Sequence, residues 1–255
     1  MDLSERSKDH SARHPWEIAR LDFFNRLLRQ CGAESTRRWL DVGSGDAWFA
    51  KSLRETLDPS SEITCWDIYY SEEDLIGAES VPGIRLTNLR PTDKFDGILM
   101  MDVVEHVEDD LGFISDIVNN CLSDSGWILV SVPAYQNLFT NHDRTLRHFR
   151  RYSPGQCRQV LTATGMMIVA EGGVFHSLLV PRYLQSLLEK VSSSNQDTSG
   201  VGSWRHGPVV TSLVTALLRA ECRLSLLFGR QKRFVVPGLS YWAFCRRSEH
   251  IEHST

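Results

Sequence analysis

The chain of 255 residues has no Cys-x-x-Cys pair, no apolar run long enough to cross a bilayer and no surplus of positive charge. Its six cysteines, Cys31, Cys65, Cys121, Cys157, Cys222 and Cys245, are scattered. That spacing points to free thiols in a reducing cytoplasm rather than to a disulfide framework. The longest uncharged apolar stretch, residues 207–218, falls well short of the roughly 20 residues a membrane span needs. A net charge of -4 argues against general nucleic-acid binding, which calls for a basic face. The opening residues are polar and charged and carry no signal-peptide pattern, so a cytoplasmic location is expected.

What is present is ordinary for a globular protein, with 42% hydrophobic and 24% charged residues. Residues 1–14 read as a loosely held tail. Pro15 opens a helix through about Cys31, with Ile18, Leu21, Phe24, Leu27 and Leu28 at helical spacing. Strands are expected at 38–42, 63–67, 84–86, 95–101, 126–132 and 166–170, with helices at 47–57, 109–122 and 154–164 between them. Such alternation implies a mostly parallel sheet covered on both faces. Beyond Phe175 two apolar helices, 175–191 and 209–228, flank a polar Gly/Ser-containing linker at 192–203. The run 239–244 then returns as a β-favouring strand, which suits an antiparallel edge. The expected division is a core at 15–175, a helical insertion at 176–236, a last core strand at 237–247 and a tail at 248–255.

Residues Trp39–Trp48 read as a buried strand, a glycine turn and a helix start. Such a turn exposes backbone N–H groups at the carboxyl end of a strand, where open α/β sheets bind nucleotide-like ligands. Gly43 and Gly45 allow close backbone approach. Asp67 lies about twenty residues further on, where a carboxylate can accept both ribose hydroxyls, although a turn cap would use the same residue type. A dinucleotide fingerprint needs a third glycine, and Trp48 occupies that position, so a pyrophosphate-bridged cofactor is disfavoured.

The order of these motifs resembles the class I S-adenosylmethionine-dependent methyltransferases, and in particular the ubiquinone-biosynthesis-type O-methyltransferases. The resemblance rests on WLDVGSGDAW at 39–48, Asp67, FDGILMMDVVEHVEDD at 95–110 and GWILVSVPAY at 126–135. It implies a Rossmann-like, seven-stranded, mostly parallel sheet with an antiparallel last strand and a helical insertion before it. It implies S-adenosylmethionine as cofactor, held by Asp41, Gly43, Gly45, Asp67 and Asp102. Asn88 stands nearest the position that reads adenine, with a plain loop role as its alternative. The similarity of Met101-Asp102-Val103-Val104-Glu105-His106 to an acidic-acidic-His trio further implies Mg2+ on Asp102, Glu105 and His106, against a purely structural role. The opening helix, with His14, Pro15, Trp16 and Arg20, is similar to one that lies over the cofactor.

The segment 142–152 concentrates four arginines and two histidines. Arg144, Arg147, Arg150, Arg151 and Tyr152 suit recognition of an anionic acceptor, and a solvated basic loop packing on acidic neighbours, including Asp143, is the alternative. His142, His148 and His106 are candidate general bases, because imidazole titrates near working pH. O-methylation of a small, anionic, lipid-linked or aromatic acceptor is the expected reaction; methylation at N, C or S and a non-catalytic cofactor-binding subunit are the alternatives. No Asn/Asp-Pro-Pro-Tyr-like motif follows the fourth strand, which disfavours base methylation. The two apolar helices leave open a lid, an acceptor tunnel, a dimer face or peripheral membrane contact.

Overall fold

The computed structural model describes residues 13–78, 81–191, 204, 206–228 and 235–248. The expected tail at 1–14 falls almost wholly outside them, as do the linker 192–203 and most of the tail after 248. Seven strands form one sheet: β1 (Arg38–Val42), β2 (Glu62–Trp66), β3 (Ile84–Thr87), β4 (Phe95–Met101), β5 (Leu122–Pro133), β6 (Met166–Val174) and β7 (Ser240–Arg247). Their order is β3-β2-β1-β4-β5-β7-β6, with β7 antiparallel to both neighbours and the other pairs parallel. β7 is therefore inserted between β5 and β6 rather than standing at the edge.

The helices are α1 (Pro15–Gln30), α2 (Trp48–Arg54), α3 (Glu72–Ala78), α4 (Asp110–Cys121), α5 (Asn141–Thr145), α6 (Pro154–Ala163), α7 (Leu179–Val191) and α8 (Pro208–Phe228). β4 is buried along nearly its whole length because both sheet faces are covered, so it reads as a continuous apolar run. Gly97 interrupts that run because a side chain there would strike the Trp127 ring at 2.2 Å. One core face holds Phe23, Trp39, Trp127 and Trp242 beneath α1, α2 and α8. The other holds Ile98, Ile114, Ile128 and Tyr241 beneath α4 and α6. α1 packs chiefly against α8.

Strand order reverses between β1 and β4, since β1 leads back through β2 to β3 while β4 leads outward. A crevice opens at the carboxyl ends of two such strands, and that switch point is where ligands of open α/β sheets bind. The register Val42↔Met100 brings the 43–45 turn and the 101–106 turn side by side.

Candidate active site

Gly43 leaves β1 in the left-handed region at φ 62°, and its N–H donates to the Trp66 carbonyl at 2.7 Å. A Cβ on Gly43 would lie 2.6 Å from Cγ2 of Val103, so only glycine fits between the two loops. Gly45 follows at φ 56°, and its N–H donates to Oδ2 of Asp67 at 2.9 Å. The other Asp67 oxygen accepts from the Tyr69 N–H at 3.0 Å. Asp67 thus caps the turn with both carboxylate oxygens. Asp41 is buried, and desolvation pushes its carboxyl up to about 7. It lines the crevice together with Gly43, Ser44, Trp48 and Met101, while Trp16 and Arg20 reach over from α1. Asn88 is not part of this lining; its side-chain amide donates to the Tyr70 carbonyl at 3.2 Å.

α1 is seated by charge. His14 caps it, accepting from the Trp16 N–H through Nδ1, and burial lowers its pKa to about 4. Arg13 pairs with Asp46 in the glycine turn, and Arg20 pairs with Asp102 at the end of β4. Asp102 occupies the left-handed region at φ 57°. Ala47, Tyr135, Arg147 and Phe175 are also left-handed, and each lies in a loop following β1, β5, α5 or β6. Such costly conformations gather where a fold holds side chains in set positions.

Beside Asp102 lies a second cluster. Glu105, His106 and His148 place ligand-capable atoms within 4.8 Å of one another. The His106 and His148 rings meet edge to face at 4.6 Å. Glu105 is fully buried, and neither of its carboxylate oxygens accepts a hydrogen bond among the described residues. Desolvation, reinforced by the nearby Asp102 charge, raises its pKa well above the carboxylate range. Asp102 is absent from this cluster and carries Arg20 instead, so the expected Asp102–Glu105–His106 trio is not assembled. One carboxylate and two imidazoles do not fit Mg2+, which prefers an oxygen shell.

The basic segment turns inward around Asp143. This side chain is fully buried and accepts from Arg151 Nε at 2.8 Å, Arg182 of α7 at 2.6 Å and the Thr140 N–H at 2.8 Å. It also bonds His148 Nδ1 at 3.1 Å. Burial alone would raise the Asp143 carboxyl, but the His148 hydrogen bond and the Arg151 and Arg182 charges hold it well below the usual range. Arg151 further donates to the Ala134 carbonyl. Arg150 pairs with Asp110 at 2.8 Å, and the Tyr152 hydroxyl donates to the same carboxylate at 2.7 Å. Arg144 and Arg147 are exposed, with Arg144 held to the Asn141 side chain. His142 is half-buried, and desolvation followed by the Arg182 charge lowers its pKa. Among the expected acceptor-side residues, the fold therefore joins His106 and His148 and engages Arg150, Arg151 and Tyr152 in internal bonds.

Sequence reasoning names Asp143 only as an acidic neighbour of the basic segment and misses Arg182. A signal for Asp143 existed, because Thr140-x-x-Asp143 forms a capping box on α5. Arg182 carried none, since its partner lies 39 residues away.

A family model described as a methyltransferase domain matches residues 11–171. No curated protein matches the sequence significantly. Solved structures show the fold. An S-adenosylmethionine-dependent methyltransferase from Archaeoglobus fulgidus is 15% identical with a TM-score of 0.51, over 89% of this chain and 94% of that one. Magnesium protoporphyrin IX methyltransferase from Synechocystis PCC 6803, solved with bound S-adenosylhomocysteine, is 14% identical with a TM-score of 0.53, over 91% and 83%. The [4+2]-cyclase SpnF is 17% identical with a TM-score of 0.50, over 88% and 81%. The presence of a cyclase among these neighbours means that the reaction has to be argued from the site.

Proposed function

The chain belongs to the methyltransferase-domain family and has the class I fold, and from that premise we propose that it methylates an oxygen of a small acceptor, with S-adenosylmethionine as donor. When bound, the cofactor supplies an electrophilic methyl on a sulfonium. The acceptor is anionic or lipid-linked. The observation that carries the reading is a pair of adjoining subsites: the crevice between the β1 and β4 ends, and the His148 corner beyond Asp102.

The crevice fits the donor's chemistry. Asp41 offers a carboxylate toward a cationic amino-acid end, and Asp67 offers one toward ribose hydroxyls. Gly43, packed against the Val103 side chain, keeps the 43–45 turn tight against the 101–106 turn. Trp16 and Arg20 cover the opening from α1 and exclude water.

On the acceptor side, His148 is the general base. Its Nδ1–H donates to Asp143, which fixes the tautomer and leaves Nε2 as the proton acceptor. Asp143 acts as the positioning residue, held by its two arginines. Glu105, its pKa raised by burial, lies within 4.8 Å of the two imidazoles. Arg144 and Arg147 are the exposed cations available to an anionic acceptor. An undirected N-methylation would need no such base, and the Asp143–His148 pair is what favours oxygen.

The test is release of demethylated cofactor across a panel of phenols, carboxylates and polyprenyl-linked hydroxyls. His148→Gln should lower kcat by about 100-fold or more on the accepted substrate. It should leave cofactor affinity within about twofold. Wild-type turnover in His148→Gln would exclude this base.

A further inference from the structure

α7 and α8 expose more aliphatic surface than folded chains ordinarily leave open without a use. On α7, Val180, Leu184, Leu187, Leu188 and Val191 follow one helical face, and Leu188 is 69% exposed. On α8, Val209, Leu213, Leu217, Leu224 and Leu227 do the same, and Leu213 is 67% exposed. The opposite side of α8, with Leu218, Cys222 and Leu226, is buried in the core shared with α1. α8 is therefore apolar on two sides, of which one is covered. The segment leading into α7 is tied to α8, where Ser177 N–H donates to Glu221 and His176 bonds Ser225.

Charge on this region has one sign outward. The exposed charged residues of α7 and α8 are Lys190 and Arg223. Their acids face inward, Glu189 accepting from the Asn141 N–H and Glu221 from the Ser177 N–H. The sequence of residues 204–236 carries six cations, Arg205, Arg219, Arg223, Arg230, Lys232 and Arg233, against Glu221 alone, in a chain whose net charge is -4. Among the described residues no helix is long and apolar enough to cross a membrane.

We propose that α7 and α8 lay this face on an anionic lipid surface. An apolar helix face bordered by basic residues binds the headgroup boundary through two weak signals acting together. A second copy of the chain fits less well, because a two-fold contact of this face would bury cations with no exposed acid of α7 or α8 to pair with them. A cleft of about 290 Å³ opens between α7 and the loop after β5, lined by Tyr135, Leu138, Leu179, Val180 and Tyr183. It gives an acceptor with an apolar tail a path from the lipid toward the His148 corner. That last step rests on the methyltransferase reading; the surface contact does not.

Flotation separates the two. The full chain is mixed with vesicles of phosphatidylcholine alone, or of phosphatidylcholine with an equal part of phosphatidylglycerol. It should float with the anionic vesicles, at least about tenfold better than with the neutral ones, and salt should weaken the binding. Leu184→Asp with Leu188→Asp, and Leu213→Asp with Leu217→Asp, should each reduce flotation by about tenfold or more, with thermal melting and cofactor binding unchanged. Lys190→Gln with Arg223→Gln should reduce the anionic preference. The proposal is overturned if the wild type floats with neither vesicle, or if the aspartate variants float as well as it does. It is also overturned if light scattering shows a dimer that those variants convert to monomer.

Discussion

Asp143→Ala is expected to destabilise the fold by about 3–5 kcal/mol, more than any other single polar substitution in the site. The side chain is fully buried and is the shared counter-ion of Arg151 and Arg182, which are themselves nearly inaccessible. Truncation would leave two cations facing each other without water or an acid. Against a total stability of roughly 5–15 kcal/mol, that loss is a large fraction. For a chain of this size it corresponds to a fall in melting temperature of roughly 10 °C. Asp143→Asn should recover part of the loss, because the amide oxygen can still accept while the charge cannot be replaced. The pH dependence has a definite sign. A carboxyl whose folded pKa lies below its unfolded value contributes fully above about pH 4 and loses its contribution as the pH falls further. The difference between wild type and Asp143→Ala should therefore shrink on acidification below about pH 4. Denaturant melts at several pH values measure it; equal stabilities at neutral pH would show that the two arginines find other partners.

Gly43→Val should abolish cofactor binding, with affinity falling by at least about 100-fold, or roughly 2.7 kcal/mol. Two effects act together. The residue sits at φ 62°, a region that costs a β-branched side chain on the order of 1–2 kcal/mol. Its Cβ would also meet Val103 Cγ2 at 2.6 Å, so the 43–45 turn and the 101–106 turn must separate. That separation widens the crevice where the donor is proposed to lie. Gly43→Ala should weaken binding less than Val does, since it adds only the Cβ. Calorimetric titration of S-adenosylmethionine into each folded variant reads the order; binding of the Val variant at wild-type strength would remove the turn from the cofactor site.

Much of this was legible from residue patterns, for reasons that differ by element. β4 is found at its expected bounds because a strand buried on both faces is a bare apolar run. α1 and α6 announce themselves through Pro15 and Pro154 at their first turns. β5 and β6 extend beyond their expected ends, to Leu122 and Val174, because pairing supplies what local sequence does not. Gly173 is required where the Gly238 backbone approaches within 2.4 Å of a would-be Cβ. α3 was missed because Glu72, Glu73 and Asp74 favour a helix start without marking an apolar face. In the site, Gly43, Gly45 and Asp67 stand where the motif implies. The Asp143 cluster stayed hidden because it is completed by Arg182 of α7, 39 residues away, while the nearby Arg151 and His148 read equally well as outward-facing. The expected magnesium trio did not form because left-handed Asp102 turns its carboxylate to Arg20, a partner 82 residues away.

A crystal structure of this chain with S-adenosylhomocysteine tests the central claim most directly. The ribose hydroxyls should be found on the Asp67 carboxylate, the amino-acid end beside Asp41 and Gly43, and the sulfur directed toward Asp102 and the His148 corner. A ligand seated at any other strand end, or a folded protein that takes up none at saturation, would contradict it.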